Sequence, residues 1–114
     1  MLVDSHRHLE YEGLVEDQSE ALDRARGAGV EAFLNISTKR AEWDQVVGTA
    51  RSKTDVFASV GIHPHNADDH LDLTRAELLE ATRDPNVIGI GETGLDYYYD
   101  HSDREAQQRL FRLH

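Results

Sequence analysis

The chain repeats a short apolar run followed by a helical pattern, with a period of about 29 residues along its 114 residues. The apolar runs, rich in β-branched residues, are Leu2–Ser5, Ala32–Ile36, Val56–Ile62 and Val87–Gly91. They lack polar alternation, which is typical of strands buried on both faces of a parallel sheet. The repeat therefore predicts an α/β fold in which a strand and a helix alternate four times.

A helix signal follows each apolar run. Apolar residues at helical spacing follow the first two runs: Ala21, Leu22 and Ala25, then Trp43, Val46, Val47 and Ala50. The third and fourth helices open on capping boxes, Thr74 with Glu77 and Ser102 with Glu105. The predicted order of elements is therefore βαβαβαβα.

Two architectures fit this repeat. Eight such units would need roughly 230 residues, which is close to the roughly 250 residues of a typical (β/α)8 barrel. One interpretation is therefore the first four βα units of a TIM (β/α)8 barrel, with residues 1–114 as its N-terminal half. The other is a small, complete α/β sandwich with a four-stranded open sheet, and the spacing alone does not separate the two.

Composition and charge exclude several classes of protein. The absence of Cys excludes a disulfide scaffold, a zinc ribbon and a thiol nucleophile. With 22 acidic and 12 basic residues the net charge is −10, which argues against binding duplex DNA through a basic face. The first residues do not read as a signal peptide, and no run approaches the roughly 20 apolar residues of a membrane span. We therefore expect a soluble, cytoplasmic chain with no membrane partner.

The first predicted strand leads into a pair of histidines, His6 and His8. Residues two apart in an extended segment point to the same side, so both imidazoles can converge on one metal ion. Neutral histidine is the commonest metal ligand, although a lone pair at this spacing is a weak signal. Asp4 shares the alternation, and we interpret it as a strand-end carboxylate with local hydrogen bonds.

The third predicted strand leads into a second pair, His63 and His65, at the equivalent point of its unit. In a barrel, active sites are built at the rim where the strands end. Pro64, between the two histidines, fixes its own φ and indicates a shaped loop rather than a continued strand. The alternative interpretation is two surface histidines in a turn.

Glu92 follows the fourth apolar run, where burying a charge is costly unless a cation or a partner compensates. The flanking Gly91 and Gly94 permit close backbone approach or positive φ. A carboxylate can bridge two metal ions of the kind that catalyse phosphoryl displacement, or it can form a salt bridge across the sheet. The following Tyr97–Tyr99 run could stack bases, but ordinary packing is the preferred interpretation.

Three segments, in this order, closely resemble the TatD family of metal-dependent deoxyribonucleases: Leu2–Leu9, Gly61–His65 and Ile90–Tyr98. The resemblance implies a TIM-barrel hydrolase with one or two divalent metal ions (Mg²⁺, Mn²⁺ or Zn²⁺) at the carboxyl rim. It also implies that His6 and His8 are metal ligands and that Glu92 is the catalytic carboxylate that bridges or shares the metals.

The same resemblance implies the substrate side of the site. His63 and His65 match the rim loop near the substrate phosphate, and Asp96 and Tyr97 match the adjoining loop. The implied substrate is DNA, and the acidic surface favours exonuclease action at single-stranded ends over wrapping of a duplex. The family's two further histidine ligands and its catalytic Asp lie on later strands than the four found here, and His114 cannot be assigned to those ligands.

Two positions depart from the family pattern. Arg7 stands where the family more often has a small or uncharged residue, and it could offer a phosphate a positive charge. Glu10 stands where the family tends to have Asp.

Three functional hypotheses follow. The first is the N-terminal half of a TatD-like nuclease. The second is a catalytically silent half-barrel that forms a homo-oligomer by pairing its exposed edges with another copy. The third is a related metal hydrolase acting on another ester or an amide, because a fold does not fix a function.

Overall fold

Four strands and four helices alternate along the chain, as the repeat predicts. In the computed structural model, which describes residues 1–114, the strands are β1 (Leu2–Arg7), β2 (Val30–Ile36), β3 (Val56–Val60) and β4 (Val87–Ile90). The helices are α1 (Gln18–Gly27), α2 (Trp43–Arg51), α3 (Arg75–Ala81) and α4 (Arg104–Leu113). All strand pairs are parallel, and the order in the sheet is β1-β2-β3-β4. Strands that follow one another without a reversal of order are found around a (β/α)8 barrel, whereas a doubly wound sheet reverses its order.

The apolar core lies between the helices and one face of the sheet. Strand and helix residues share one buried cluster, which includes Phe33, Val56, Ala58, Val60, Leu22, Val46, Leu78 and Leu110. The β3 members of this cluster occupy alternate positions, so they lie on one face of that strand. The intervening Phe57 points to the other face and is only half-buried. Helices on one side of a sequentially ordered sheet are the arrangement of a barrel sector.

The edge strands β1 and β4 are more exposed than their apolar sequences predict. Leu2 is 58% exposed and Ile88 is 61% exposed, and each lies on an edge strand of the sheet. Val87 packs against the core, whereas Ile88 and Ile90 point to the opposite face of β4. The expectation of burial on both faces is therefore wrong for β1 and β4, although it holds for most of β3.

The helix starts are partly as predicted. At α3, the Thr74 hydroxyl accepts from the Glu77 amide at 3.2 Å, and the Glu77 carboxylate accepts from the Thr74 amide at 2.9 Å, which confirms the capping box. At α4, the predicted cap Ser102 is wrong, because Asp103 accepts from the first-turn amides. The buried Ser102 hydroxyl instead donates to the His65 carbonyl at 2.8 Å. No helix combines the length and the apolar character needed to cross a membrane.

The carboxyl ends of β2, β3 and β4 are joined by hydrogen bonds. The Ser37 hydroxyl donates to the Ser59 carbonyl at 3.0 Å and accepts from the Gly61 amide at 3.2 Å. The Glu92 amide donates to the Ser37 carbonyl at 3.3 Å. A Cβ on Gly61 would lie 2.5 Å from the carbonyl carbon of Gly91, so only glycine allows this approach. These contacts fix the backbone from which the candidate site projects.

Candidate metal centre

Three of the predicted site residues meet at the carboxyl ends of the two edge strands. His6 lies on β1, His8 follows it, and Glu92 follows β4, yet their ligand atoms all lie within 4.8 Å of one another. In a flat sheet, β1 and β4 would be about 14 Å apart. The curvature of the sheet therefore brings the two edges together at this rim, as in a barrel.

The polar atoms of this cluster face one another at short range. The Nε2 atoms of His6 and His8 are 3.2 Å apart, and Glu92 Oε2 lies 3.3 Å from the first and 3.6 Å from the second. Glu92 pairs only with histidines, so the alternative of a salt bridge to a basic residue across the sheet is not realised. The electrostatic partner of the carboxylate is thus a group of imidazoles.

His8 presents a lone pair to the cluster. Its Nδ1 lies 3.1 Å from the Ile36 carbonyl oxygen, and a carbonyl can only accept, so Nδ1 carries a proton and Nε2 is the nitrogen left to act as a ligand. Metal-binding histidines are commonly held in this way by a backbone carbonyl. The ring of Tyr11 stacks on the His8 ring at 4.5 Å with an 11° angle between the planes, which further restricts its rotation.

The cluster fits a divalent cation. Two nitrogens bound to one ion at about 2.1 Å would lie about 3.0–3.4 Å apart in octahedral or tetrahedral geometry, and the two Nε2 atoms are 3.2 Å apart. Glu92 Oε2 is buried and has no hydrogen-bond partner. A buried carboxylate oxygen in this state is costly unless a positive charge compensates. His6, His8 and Glu92 could therefore supply three ligands to one ion.

The second histidine pair is also brought to the rim, with different partners. His63 Nδ1 accepts from the His65 backbone amide at 3.1 Å, so His63 carries its proton on Nε2, which lies 3.4 Å from Glu92 Oε1. His65 turns away from Glu92, and its Nε2 hydrogen-bonds to Asp96 Oδ2. Both rings are partly buried, so the alternative of two free surface histidines does not describe them. Burial lowers the pKa of the His63 imidazole.

Asp96 organises the loop that follows β4. Its Oδ1 accepts from the backbone amides of Tyr98 and Tyr99 at 2.9 and 3.1 Å. The Gln107 side chain accepts from the Asp96 amide and donates to its carbonyl, which anchors the loop on α4. The hydrogen bond from His65, together with the two amides, holds the pKa of Asp96 below its usual value.

The three tyrosines of this loop differ in their environments. The Tyr97 hydroxyl accepts from Gln108 Nε2 at 2.7 Å, and the Arg104 guanidinium lies 4.5 Å from the centre of its ring. Packing, the preferred interpretation of the run, is thus partly realised at Tyr97. It is wrong for Tyr98 and Tyr99, which are 88% and 65% exposed, because the Asp96 turn directs them away from the core.

Other predicted residues have structural roles. Asp4 accepts from Arg7 Nε at 2.6 Å and from the His6 amide at 3.4 Å, which confirms its local bonding and engages the charge of Arg7. His114 accepts from the Ile62 amide through Nε2 and donates to the Leu110 carbonyl through Nδ1. Both of its ring nitrogens are occupied, in agreement with leaving it unassigned as a ligand.

Glu10, the second departure from the family pattern, reaches α2 rather than the cluster. Its Oε1 accepts from Asn35 Nδ2 at 3.1 Å and from the Thr49 hydroxyl at 2.6 Å, and its Oε2 accepts from Gln45 Nε2 at 3.0 Å. These bonds join the loop after β1 to β2 and to α2, so Glu10 holds in place the backbone that carries His8.

Sequence reasoning missed Tyr11. Its ring contacts His8, and burial raises the pKa of its hydroxyl, with the negative charges of Glu42 and Glu92 adding to the effect. The hydroxyl therefore stays protonated beside the cluster. The only signal in the sequence is an aromatic residue three positions after His8, and this spacing has meaning only once the chain is known to turn there.

A family model described as TatD related DNase matches residues 3–114. The chain is 31% identical over 112 residues to an uncharacterized metal-dependent hydrolase, YabD of Bacillus subtilis, which covers 98% of this chain and 44% of that protein. It is 35% identical over 95 residues to a Cronobacter turicensis protein named 3′-5′ ssDNA/RNA exonuclease TatD, which covers 83% of this chain and 36% of that one.

The structure is also similar to a solved one. It superposes with a TM-score of 0.89 on the crystal structure of YJJV, a TatD homologue from Escherichia coli K12, at 29% identity over 98% of this chain and 44% of that chain. The chain thus spans less than half the length of the relatives that it matches. This likeness confirms the predicted fold class, four βα units of a TIM barrel, over the four-stranded sandwich.

Proposed function

The chain belongs to the TatD-related DNase family, and from that premise we propose that residues 1–114 form the N-terminal half of a metal-dependent hydrolase barrel that cleaves phosphodiester bonds in DNA. The observation that carries this proposal is the cluster of His6, His8 and Glu92, with its orphaned carboxylate oxygen. The names of the relatives, a metal-dependent hydrolase and a ssDNA/RNA exonuclease, support it.

We assign His6, His8 and Glu92 as the residues that hold one or two divalent ions of Mg²⁺, Mn²⁺ or Zn²⁺. When bound, the ion would supply positive charge close to a phosphoryl group. The chain itself orients the ligands. The Ile36 carbonyl keeps His8 Nε2 aimed at Glu92, and the Nε2–H of His63 lies 3.4 Å from the other carboxylate oxygen.

The substrate side of the proposed site is formed by two loops, one that carries His65 and one that carries Asp96 and Tyr97. The hydrogen bond between His65 and Asp96 ties the loop after β3 to the loop after β4 next to the cluster. The net charge of −10 disfavours wrapping of a duplex and leaves single-stranded ends as the preferred substrate. The cytoplasmic location inferred from the sequence stays a prediction.

Cleavage of an end-labelled single-stranded oligodeoxynucleotide by the complete barrel of which residues 1–114 form one half, with Mg²⁺, Mn²⁺ or Zn²⁺ in turn, tests this proposal. We expect the single strand to be cut faster than the same strand in a duplex, and Glu92→Gln to abolish cutting. Glu80→Gln, an exposed carboxylate on α3, is the matched control. Cleavage by Glu92→Gln at the rate of the unmodified chain would overturn the site assignment. Activity on a carboxyl ester or an amide, but not on a phosphodiester, would overturn the substrate class.

A second candidate function is a catalytically silent half-barrel that pairs with another copy. It is favoured by the exposed apolar residues Leu2 and Val3 on β1 and Ile88 and Ile90 on β4, since unpaired strand edges attract partners. Light scattering over a range of concentrations tests it. Metal binding without cleavage, together with a dimer that Ile88→Lys dissociates and Leu79→Lys does not, would favour this candidate. A monomer at every concentration would exclude it.

A further inference from the structure

The loop after β4 carries a group of exposed aromatic rings that the proposed chemistry does not use. Tyr98 and Tyr99 are the most exposed aromatic side chains of the chain, and His101, also exposed, follows them. We call these three rings the tyrosine ledge. Several adjacent aromatic rings left in water are unusual for a surface that only needs to be hydrated, and such patches mark binding sites.

The backbone of the tyrosine ledge is held in place. Asp96 Oδ1 binds the amides of Tyr98 and Tyr99, and Gln107 binds both backbone polar groups of Asp96. At the far end of the loop, Asp100 forms an ion pair with Arg104 on α4. Rings presented from a fixed backbone lose little conformational entropy when a ligand binds, which favours their use as a preformed surface.

The rings of the tyrosine ledge are ordered relative to one another. The Tyr99 and His101 rings are parallel to within 2°, with centroids 5.8 Å apart, and the Tyr98 ring is perpendicular to Tyr99 at 4.9 Å. The planes of these two exposed rings therefore share one orientation. Nucleobases are flat ligands, and they stack on aromatic side chains with little regard to base identity.

The tyrosine ledge is continuous with the metal cluster. His65 contacts His101 at 4.6 Å and Tyr99 at 5.8 Å, and on its other side it contacts His63 at 4.3 Å. His63 in turn lies 3.4 Å from Glu92. A line of rings therefore runs from the carboxylate outward to the solvent, so one ligand can contact both places.

The charges around the tyrosine ledge select which part of a nucleic acid lies on it. Asp100 and Asp103 flank the ledge, Asp68 accepts from the Asp103 amide, and the whole chain carries −10. These carboxylates repel phosphate groups, whereas the face of an uncharged base is not repelled. The only cation among these neighbours, Arg104, is engaged by Asp100 and by the Tyr97 ring.

We propose that the tyrosine ledge is a stacking subsite for unpaired nucleobases of a strand whose backbone reaches the metal cluster. This inference rests on the proposed function, since it takes nucleic acid as the substrate. It adds a structural reason for a preference for single strands: in a duplex the base faces are stacked on one another and are not available to Tyr98 or Tyr99.

Binding of two short strands with equal numbers of phosphates, hexadeoxyadenylate and its abasic counterpart, tests the proposal. The measurement is made in EDTA, where no cleavage occurs, and at about 0.15 M salt, which screens the repulsion between the acidic chain and the strands. Affinity is followed by calorimetry, and contacts are followed by the NMR signals of the tyrosine rings. We expect the base-bearing strand to shift the signals of Tyr98 and Tyr99, and the abasic strand to leave them unchanged.

Substitutions separate stacking from other contacts. Tyr98→Ala and Tyr99→Ala should each weaken binding of hexadeoxyadenylate at least about fivefold, whereas Tyr98→Phe, which keeps the ring, should bind as the unmodified chain does. Phe111→Ala, which removes an exposed aromatic ring on α4, is the matched control. Tyr98 is so exposed that its substitution should leave the fold intact, which circular dichroism checks.

The outcomes distinguish failure of the tyrosine ledge from failure of the proposed function. Two results would overturn the stacking proposal but not the proposed function, provided that the unmodified chain still cleaves single strands. One is equal binding of both strands, and the other is full binding by Tyr98→Ala and Tyr99→Ala. Base-dependent binding by a chain that cleaves nothing supports the ledge and counts against the activity. A chain that neither binds nor cleaves either strand overturns both.

Discussion

The two histidine pairs share a sequence pattern and a position just after a strand, but they differ in which ring nitrogen carries the proton. In the first pair, the Ile36 carbonyl accepts from His8 Nδ1, so a lone pair on Nε2 faces the cluster. In the second pair, the His65 amide donates to His63 Nδ1, so a proton on Nε2 faces Glu92. A backbone acceptor in one place and a backbone donor in the other thus make one ring a candidate ligand and leave the other with an N–H that faces the carboxylate.

The two pairs also differ in whether their two rings point to the same place. His6 and His8 both point at Glu92 Oε2, whereas His65 points away and binds Asp96. On an extended strand, alternate side chains share a side, but Pro64 begins a tight turn after His63, and alternation no longer applies there. The same spacing therefore converges on one point when it follows β1 and diverges when it follows β3.

The comparison is tested most strongly by metal binding to His8→Ala and His65→Ala. Removing His8 takes away a proposed ligand, and we expect the affinity for Mn²⁺, measured by calorimetry or electron paramagnetic resonance, to fall by more than about 100-fold. Removing His65 should change it by less than about threefold, because its ring faces Asp96. Equal losses in the two variants would mean that both pairs bind metal, contrary to the difference in protonation.

A smaller effect is expected from His63→Ala. The Nε2–H of His63 lies beside Glu92 Oε1, and loss of such a supporting group typically lowers metal affinity by about 10- to 100-fold. His63→Gln, whose amide can also donate, should recover part of the loss. If His63→Gln were as weak as His63→Ala, and both matched His8→Ala, His63 would be a ligand itself rather than a support.

The fold was largely predictable from the sequence, because period and hydrophobicity are local properties. The four apolar runs all became strands, and the Thr74–Glu77 capping box formed as expected. The exposure of Leu2 and Ile88 was not predictable, since a run of apolar residues indicates burial but does not show where the sheet ends. The cap at Asp103 was missed because the adjacent Ser102 has an equally good capping side chain, and its hydrogen bond to the loop of His65 is a tertiary contact.

Which residues approach one another at the candidate site was also predictable, but the orientation and the protonation of their rings were not. Positions at strand ends predict that His6, His8 and Glu92 approach one another, and they do. The direction of His65 and the protonation of His63 depend on backbone groups of the turn at Pro64, which spacing does not specify. Tyr11 reaches His8 only because the chain folds back after β1, so nothing in its local sequence marks it.

The aromatic support of His8 provides a weaker test of the comparison. Tyr11 stacks on His8, and such aromatic pairs contribute about 0.5–1.5 kcal/mol, so Tyr11→Ala should lower Mn²⁺ affinity about 2- to 12-fold by freeing the ring. Tyr11→Phe keeps the stacked ring and should bind as the unmodified chain does. A loss in Tyr11→Phe equal to that in Tyr11→Ala would instead assign the effect to the hydroxyl.

The smallest expected effect is a dependence of stability on pH, and it arises from the contact of His65, in the second pair, with Asp96. The pKa of Asp96 is lower in the folded chain than its ordinary value of 3.8, mainly because of His65. Its ionised form therefore stabilises the fold above about pH 4, and this contribution is lost as the pH falls through the lowered pKa. Asp96→Asn should lower the Tm at pH 6, and the difference from the unmodified chain should shrink towards pH 3, whereas the exposed Asp69→Asn should change little at either pH. If the difference persisted undiminished at pH 3, Asp96 would act through its uncharged contacts. The amides of Tyr98 and Tyr99, rather than the pairing with His65, would then hold the loop.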